Sequence, residues 1–111
     1  MPTITLGTLE LAALLAVARL GDDAYGLAVR DDLSERAGRD YSVGAIYTTL
    51  QRLEDKGLLA SHASESLPVR GGRSRRLFRI TGSGARAIRD AERHVASMWS
   101  GIGARVRPRP A

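Results

Sequence analysis

The sequence predicts a mainly α chain with one small β-hairpin, in the order helix, helix, helix, strand, basic loop, strand, helix. Three observations carry this. Apolar residues recur at helical spacing in four separate stretches. Two short runs between residues 58 and 80 flank a segment containing Pro68, Gly71 and Gly72, which reads as a hairpin with a loop at its tip. The 111 residues, 43% hydrophobic, supply one core rather than two and exclude wholesale disorder.

Helix one runs from Thr8 to Leu20. Leu9, Ala12, Ala13, Ala16, Val17 and Leu20 mark one stripe, while Leu11, Leu14, Leu15 and Ala18 mark the other side. A helix that is apolar all round needs cover all round, which a small chain cannot supply alone, so the second face implies a partner. Gly21 stops the helix. Asp22 and Asp23 are expected to cap helix two, about Ala24 to Ala37, whose buried stripe is Tyr25, Val29, Leu33 and Ala37. Gly38 ends it. Ser42 caps helix three, Val43 to Lys56, with Gly57 after it. Ile46, Leu50 and Leu53 form its core face with Tyr47 flanking, and Gly44, Ala45, Thr48, Thr49 and Arg52 form the opposite one. Leu58 to Glu65 and Arg75 to Ile80 are the two strands. Thr81 caps helix four, which reaches to about Gly101. Its Ile88, Ala91, Val95, Met98 and Ile102 follow a 3-4-3-4 spacing, with Trp99 beside that seam.

This order is that of a winged helix-turn-helix, a three-helix core plus a two-stranded wing, with a C-terminal dimerisation helix. The expected organisation is a DNA-binding domain over residues 1–80, a dimerisation helix over 81–103 and a flexible tail over 104–111. The second helix of such a pair enters the major groove, so its first turns meet phosphates and base edges. Here those turns carry Ser42, Gly44, Thr48 and Thr49, with Arg52 a turn later. The small residues permit close approach, the hydroxyls can bond phosphates or bases, and the helix N-terminus itself favours an anion.

Charge supports a polyanion partner. The net charge is +5, but residues 1–55 carry 5 bases and 9 acids, whereas residues 56–111 carry 12 bases and 3 acids. Sixteen of the 17 bases are arginine, a ratio that codon usage alone would give. Codon usage does not explain clustering, and Arg70, Arg73, Arg75, Arg76 and Arg79 fall within ten residues that contain no acid. Such a wing tip can lie on the phosphate backbone or enter a narrow minor groove, and Gly71 and Gly72 allow it a tight turn.

The residues LGTLELAALLAVARLGDDAYGLAVRDDL, YSVGAIYTTLQRLEDKGLL and RGGRSRRLFRITGSG resemble the PadR family of bacterial transcriptional regulators. The resemblance runs from about Leu6 into helix four. It implies a dimeric regulator of double-stranded DNA, usually a repressor, on a two-fold-related operator. It carries DNA contacts to Ser42, Gly44, Tyr47, Thr48, Thr49 and Arg52, and in the wing to Arg70, Gly72, Arg73, Arg75 and Arg76. It implies that the C-terminal helix of one copy packs on the N-terminal helix of the other, through Leu11, Leu14, Leu15, Ile88, Val95, Met98, Trp99 and Ile102. Some members bind planar aromatic compounds at that interface, which makes Trp99 the candidate effector residue. Thr48 stands where relatives often carry proline.

Other functions fit the sequence less well. Zero cysteines exclude a disulfide scaffold and a thiolate zinc site, and no cofactor or metal is implied. Only His62 and His94 could act as neutral-pH bases, and neither a nucleotide loop nor a paired-acid motif accompanies them, so an enzyme is not expected. The longest apolar run, Leu11 to Ala18, is far short of the ~20 residues that span a bilayer. With no basic segment before it, it is not a secretory signal either, and a cytoplasmic, nucleoid-associated location is expected. A winged helix that binds protein rather than DNA is the rival reading. The basic wing and the small, uncharged face of helix three argue against it.

Overall fold

The computed structural model describes residues 6–64 and 75–106. Its elements are α1 (Thr8–Leu20), α2 (Gly26–Ala37), α3 (Val43–Asp55), β1 (Leu59–Ala63), β2 (Arg76–Ile80) and α4 (Gly82–Trp99). Short 3-10 turns lie at Gly21–Asp23 and Gly103–Arg105. The expected wing residues Arg70, Gly72 and Arg73 and the last residues of the tail, 107–111, lie outside the described residues. No helix is long and apolar enough to cross a membrane among the described residues.

Local chemistry sets most of the boundaries. The backbone N–H of Gly7 donates to Glu10 Oε1 at 3.0 Å, closing the first turn of α1. Ser42 Oγ accepts the N–H of Ala45 at 3.1 Å, as its position before α3 predicts. Thr81 does two jobs. Its Oγ1 accepts the N–H of Gly84 at 3.0 Å and donates to the carbonyl of Gly57 at 2.7 Å, so the start of α4 is tied to the end of α3. Gly38 ends α2 in the left-handed region, at φ +66°, where a side chain would be strained.

Helix α2 begins later than the sequence predicts, and its aspartate cap is not used. Asp22 and Asp23 lie in a 3-10 turn, and Tyr25 occupies the N-cap position with no side-chain bond. The reason lies in the wing. Phe78 N–H donates to the carbonyl of Ala24 at 2.8 Å, and Tyr25 forms an antiparallel bridge with Leu77. Ala24 is held in a tight turn, with the Tyr25 N–H donating to the carbonyl of Asp23 at 3.0 Å, and Tyr25 is extended against β2, so the helix starts at Gly26. The strands themselves pair antiparallel with Leu59 opposite Ile80 and Ala63 opposite Arg76.

The core is built from α1, α2, α3 and the inner face of the hairpin. Its largest fully buried side chains include Phe78, Leu14, Ile46, Leu50, Leu53 and Leu58. Leu14 corrects an expectation: it is 0% exposed and packs in the chain's own core, so it cannot face a partner. It lies roughly 100° round the helix from Leu15 and beside Ala13 and Val17, which are also buried. Leu11 is half-buried and Leu15 exposed, so they keep the outward face that Leu14 lacks. Ala37, expected in the buried stripe of α2, is exposed at the helix end.

Ion pairs brace the helices. Lys56 Nζ lies 2.6 Å from Glu10 Oε2, joining the end of α3 to the start of α1. The Lys56 ammonium, with the Gly7 N–H, holds the Glu10 carboxyl below its ordinary pKa of 4.5. Asp32 takes Arg19 from α1 and Arg36 from its own helix. Arg19 first, then Arg36, keep the Asp32 carboxyl below its ordinary pKa of 3.8.

Gly84 marks a close approach between α4 and the start of the hairpin. A Cβ there would lie 2.1 Å from the carbonyl oxygen of Leu58 and 3.1 Å from Ile80 Cγ2. Gly44, also near the start of a helix, has nothing within 4 Å of that position. Gly84→Ala should therefore destabilise the protein by about 1–3 kcal/mol. Gly44→Ala should be neutral or stabilising by up to about 1 kcal/mol. Urea melts of the two variants compare them directly; an unchanged midpoint for Gly84→Ala would contradict the close packing.

Candidate nucleic-acid interface

Helix α3 has a buried side and an open side. Ile46, Leu50 and Leu53 are buried, as their spacing predicts. Val43, Gly44, Ala45, Thr48, Gln51 and Arg52 are exposed, and Tyr47 is 42% exposed. Ser42 is exposed too; its oxygen caps the helix, which leaves its own O–H free to donate outward. Gly44 faces open space, so nothing within the protein obstructs another surface there. The Arg52 guanidinium makes no hydrogen bond or ion pair among the described residues.

Thr49 is a correction. It is only 5% exposed, and its hydroxyl donates to the carbonyl of Ala45 at 2.8 Å. It cannot present that hydroxyl to a ligand on the outer face. The sequence held the signal: residues 46, 49, 50 and 53 complete the i, i+3, i+4, i+7 pattern of a buried stripe, with Thr49 as its one polar member.

Tyr47 is both packed and accessible. A Cβ on Gly26 would lie 2.5 Å from its Cζ and 2.7 Å from its hydroxyl oxygen, so the ring lies across the first residue of α2. That contact explains why a glycine follows Tyr25. Its hydroxyl lies beside the α2 N-terminus, an arrangement suited to a phosphate.

The turn between α2 and α3 is held firmly. Arg30 Nε donates to the carbonyl of Tyr41 at 2.8 Å, and the Tyr41 N–H donates to Ser34 Oγ at 3.0 Å. The Arg39 guanidinium lies 4.6 Å from the centre of the Tyr41 ring. Two side chains of α2 therefore fix where α3 begins.

At the base of the wing the arginines divide. The Arg75 guanidinium lies 4.4 Å from the centre of the Tyr25 ring, and its backbone N–H donates to Ser64 Oγ at 2.7 Å. It has no carboxylate partner among the described residues, and neither does exposed Arg79. Arg76 is different. It bonds Ser61 on β1 and both Gln51 and Glu54 on α3. Sequence reasoning placed Arg76 with its neighbours, because nothing in the local pattern indicates an acid 22 residues upstream.

A second candidate surface lies between α1 and α4. Leu11, Leu15, Ile88, Ala91, Val95 and Trp99 line an open apolar groove of about 440 Å³. Trp99 is 62% exposed, and Met98 and Ile102 are exposed further along the same end of the chain. Of the residues expected at a self-interface, Leu14 alone is withdrawn into the core. Ile88 is half-buried and packs partly on that core as well.

A family model described as the transcriptional regulator PadR-like family matches residues 14–90. The transcriptional regulator Rv3488 of Mycobacterium tuberculosis is 38% identical over 77 residues, covering 69% of this chain and 67% of that protein. Among solved structures, a PadR family transcriptional regulator from Eggerthella lenta superposes with a TM-score of 0.67 at 28% identity, covering 91% of this chain and 89% of that one. A PadR-like transcriptional regulator from Bacillus cereus reaches a TM-score of 0.73 at 18% identity, covering 93% and 95%. At that identity the likeness is one of fold.

Proposed function

Because the chain belongs to the PadR-like family of DNA-binding transcriptional regulators, we propose that it acts as a homodimeric repressor on a palindromic operator. In this reading α3 lies in the major groove and the wing follows the adjacent backbone. The observation that carries it is the outer face of α3: small at Gly44 and Ala45, polar at Ser42 and Thr48, and ending in the unpaired cation Arg52. Arg75 and Arg79, with no carboxylate partner among the described residues, add positive charge on the neighbouring hairpin. Tyr47 and the N-terminus of α2 suit a backbone phosphate.

The groove between α1 and α4 supports self-association. Its lining is apolar and open to solvent, and no described residue covers it. A second copy, related by a two-fold axis, would seat its own α4 there and set two recognition helices roughly 34–36 Å apart. A planar aromatic effector would act in the same groove against Trp99, shared by both copies and able to shift the spacing of the reading heads.

Three outcomes test these statements. Arg52→Ala should blur sequence choice, with a loss of about 1–3 kcal/mol at the base pair it reads, whereas Thr49→Val should leave the preference unaltered. Selection of bound fragments from random duplex by each purified variant measures both. Val95→Asp should yield monomers in sedimentation, and a variant that still sediments as a dimer would exclude the seam. Planar aromatic compounds should quench or shift Trp99 fluorescence; an unmoved spectrum across a panel of them would remove the effector role.

A further inference from the structure

Arg76 is exposed, yet each of its three guanidinium nitrogens is bonded to another side chain of the protein. Nε donates to Ser61 Oγ at 3.0 Å, Nη1 to Gln51 Oε1 at 3.2 Å, and Nη2 to Glu54 Oε1. These partners sit on two different elements, so one side chain of β2 joins β1 to the far half of α3. The partners are themselves held. Gln51 Nε2 donates to Asp55 Oδ1 at 2.9 Å, which turns the amide oxygen of Gln51 toward Arg76. Glu54 is half-buried, and Arg76 is its ion-pair partner. The Arg76 guanidinium also lies 5.2 Å from the centre of the Phe78 ring, the largest side chain of the core. A planar fork with three nitrogens bonded in one plane resists rotation in a way that a single ammonium does not.

From this geometry we propose that Arg76 is a positioning residue, not a phosphate contact: it straps the wing to α3, with Glu54 as its anchor, and so sets the angle between wing and recognition helix. The inference rests on the reading that α3 and the wing meet DNA together. Two elements that touch one duplex must keep a fixed separation, and the hairpin is otherwise joined to α3 through a three-residue connection at Lys56–Leu58 and through the core. A strap across the open side removes the remaining freedom. It also keeps Glu54 neutralised on a surface that faces a polyanion.

The charge arithmetic separates the two roles of Arg76. If it touched phosphate, Glu54 would be a competitor, and Glu54→Gln would tighten binding to every duplex. If it is a strap, Glu54→Gln loosens the wing. Affinity for fragments selected by the wild-type protein should then fall about tenfold relative to random duplex. The exchanged pair Arg76→Glu with Glu54→Arg keeps the net charge and reverses the bridge. It should recover most of the preference lost by either single change, with the wild-type salt slope. A phosphate contact predicts no recovery, because a glutamate would then face the backbone.

Amide hydrogen exchange on the DNA-free full-length protein gives an independent readout. Leu77 and Phe78 should lose protection in Arg76→Glu and in Glu54→Gln and regain it in the exchanged pair. Unchanged protection in the single variants, an undiminished preference of Glu54→Gln for selected over random duplex, or failure of the exchanged pair would each overturn the strap. Arg52→Ala, run alongside, reports on α3 alone. If it leaves sequence preference intact, the placement of α3 on DNA falls, and hydrogen exchange still decides the strap.

Discussion

The N–H of Phe78 donates to the carbonyl of Ala24, and the phenyl ring of the same residue fills the middle of the core. This one position joins wing, helix pair and core. The bond holds Ala24 out of the helix and Tyr25 extended beside β2, which fixes where α2 can begin. The start of α2 in turn carries Gly26, on which the Tyr47 ring of α3 rests. The strand that supplies Phe78 also supplies Arg75 and Arg76, one stacked on Tyr25 and the other bonded to α3. A two-stranded ribbon alone is marginal in water, and Phe78, with Leu59 beside it in the core, attaches this one to the helices.

Much of the architecture is legible in sequence because it is local. Ser42 and Thr81 cap their helices as their positions predict, and α1 has the predicted bounds. The failures share a cause. Asp22 and Asp23 are good caps by type, but a tertiary hydrogen bond from the wing moved the helix start past them. Leu14 belongs to either side of an all-apolar helix until the neighbouring elements are in place. Thr49 was assigned by its polarity, although its spacing put it inward and its hydroxyl is satisfied within the helix. The division among the wing arginines is not visible in sequence at all, since it depends on which of them lies over α3.

The chain separates its tasks by face. Core-forming residues of α1 point inward, and Leu11 and Leu15 border the groove toward α4. Three acids of the N-terminal half serve as braces: Glu10 with Lys56, Asp32 with Arg19 and Arg36, Glu54 with Arg76. Each holds two elements together while cancelling negative charge that would oppose a polyanion. Arg52, Arg75 and Arg79 are exposed and have no carboxylate partner among the described residues. The +5 net charge is thus distributed by pairing as much as by composition.

Ala24, Tyr25 and Gly26 each engage a different part of the molecule: β2 through a carbonyl, Arg75 through a ring, and Tyr47 through the lack of a side chain. Three consecutive codons therefore hold the frame, and a change in any one of them disturbs more than one element. Val43, Gly44, Thr48 and Arg52 touch little else in the protein. Mutational drift is costly at the first set and cheap at the second. Substitutions on the outer face of α3 can therefore change the surface it offers, while the scaffold that aims that face stays the same.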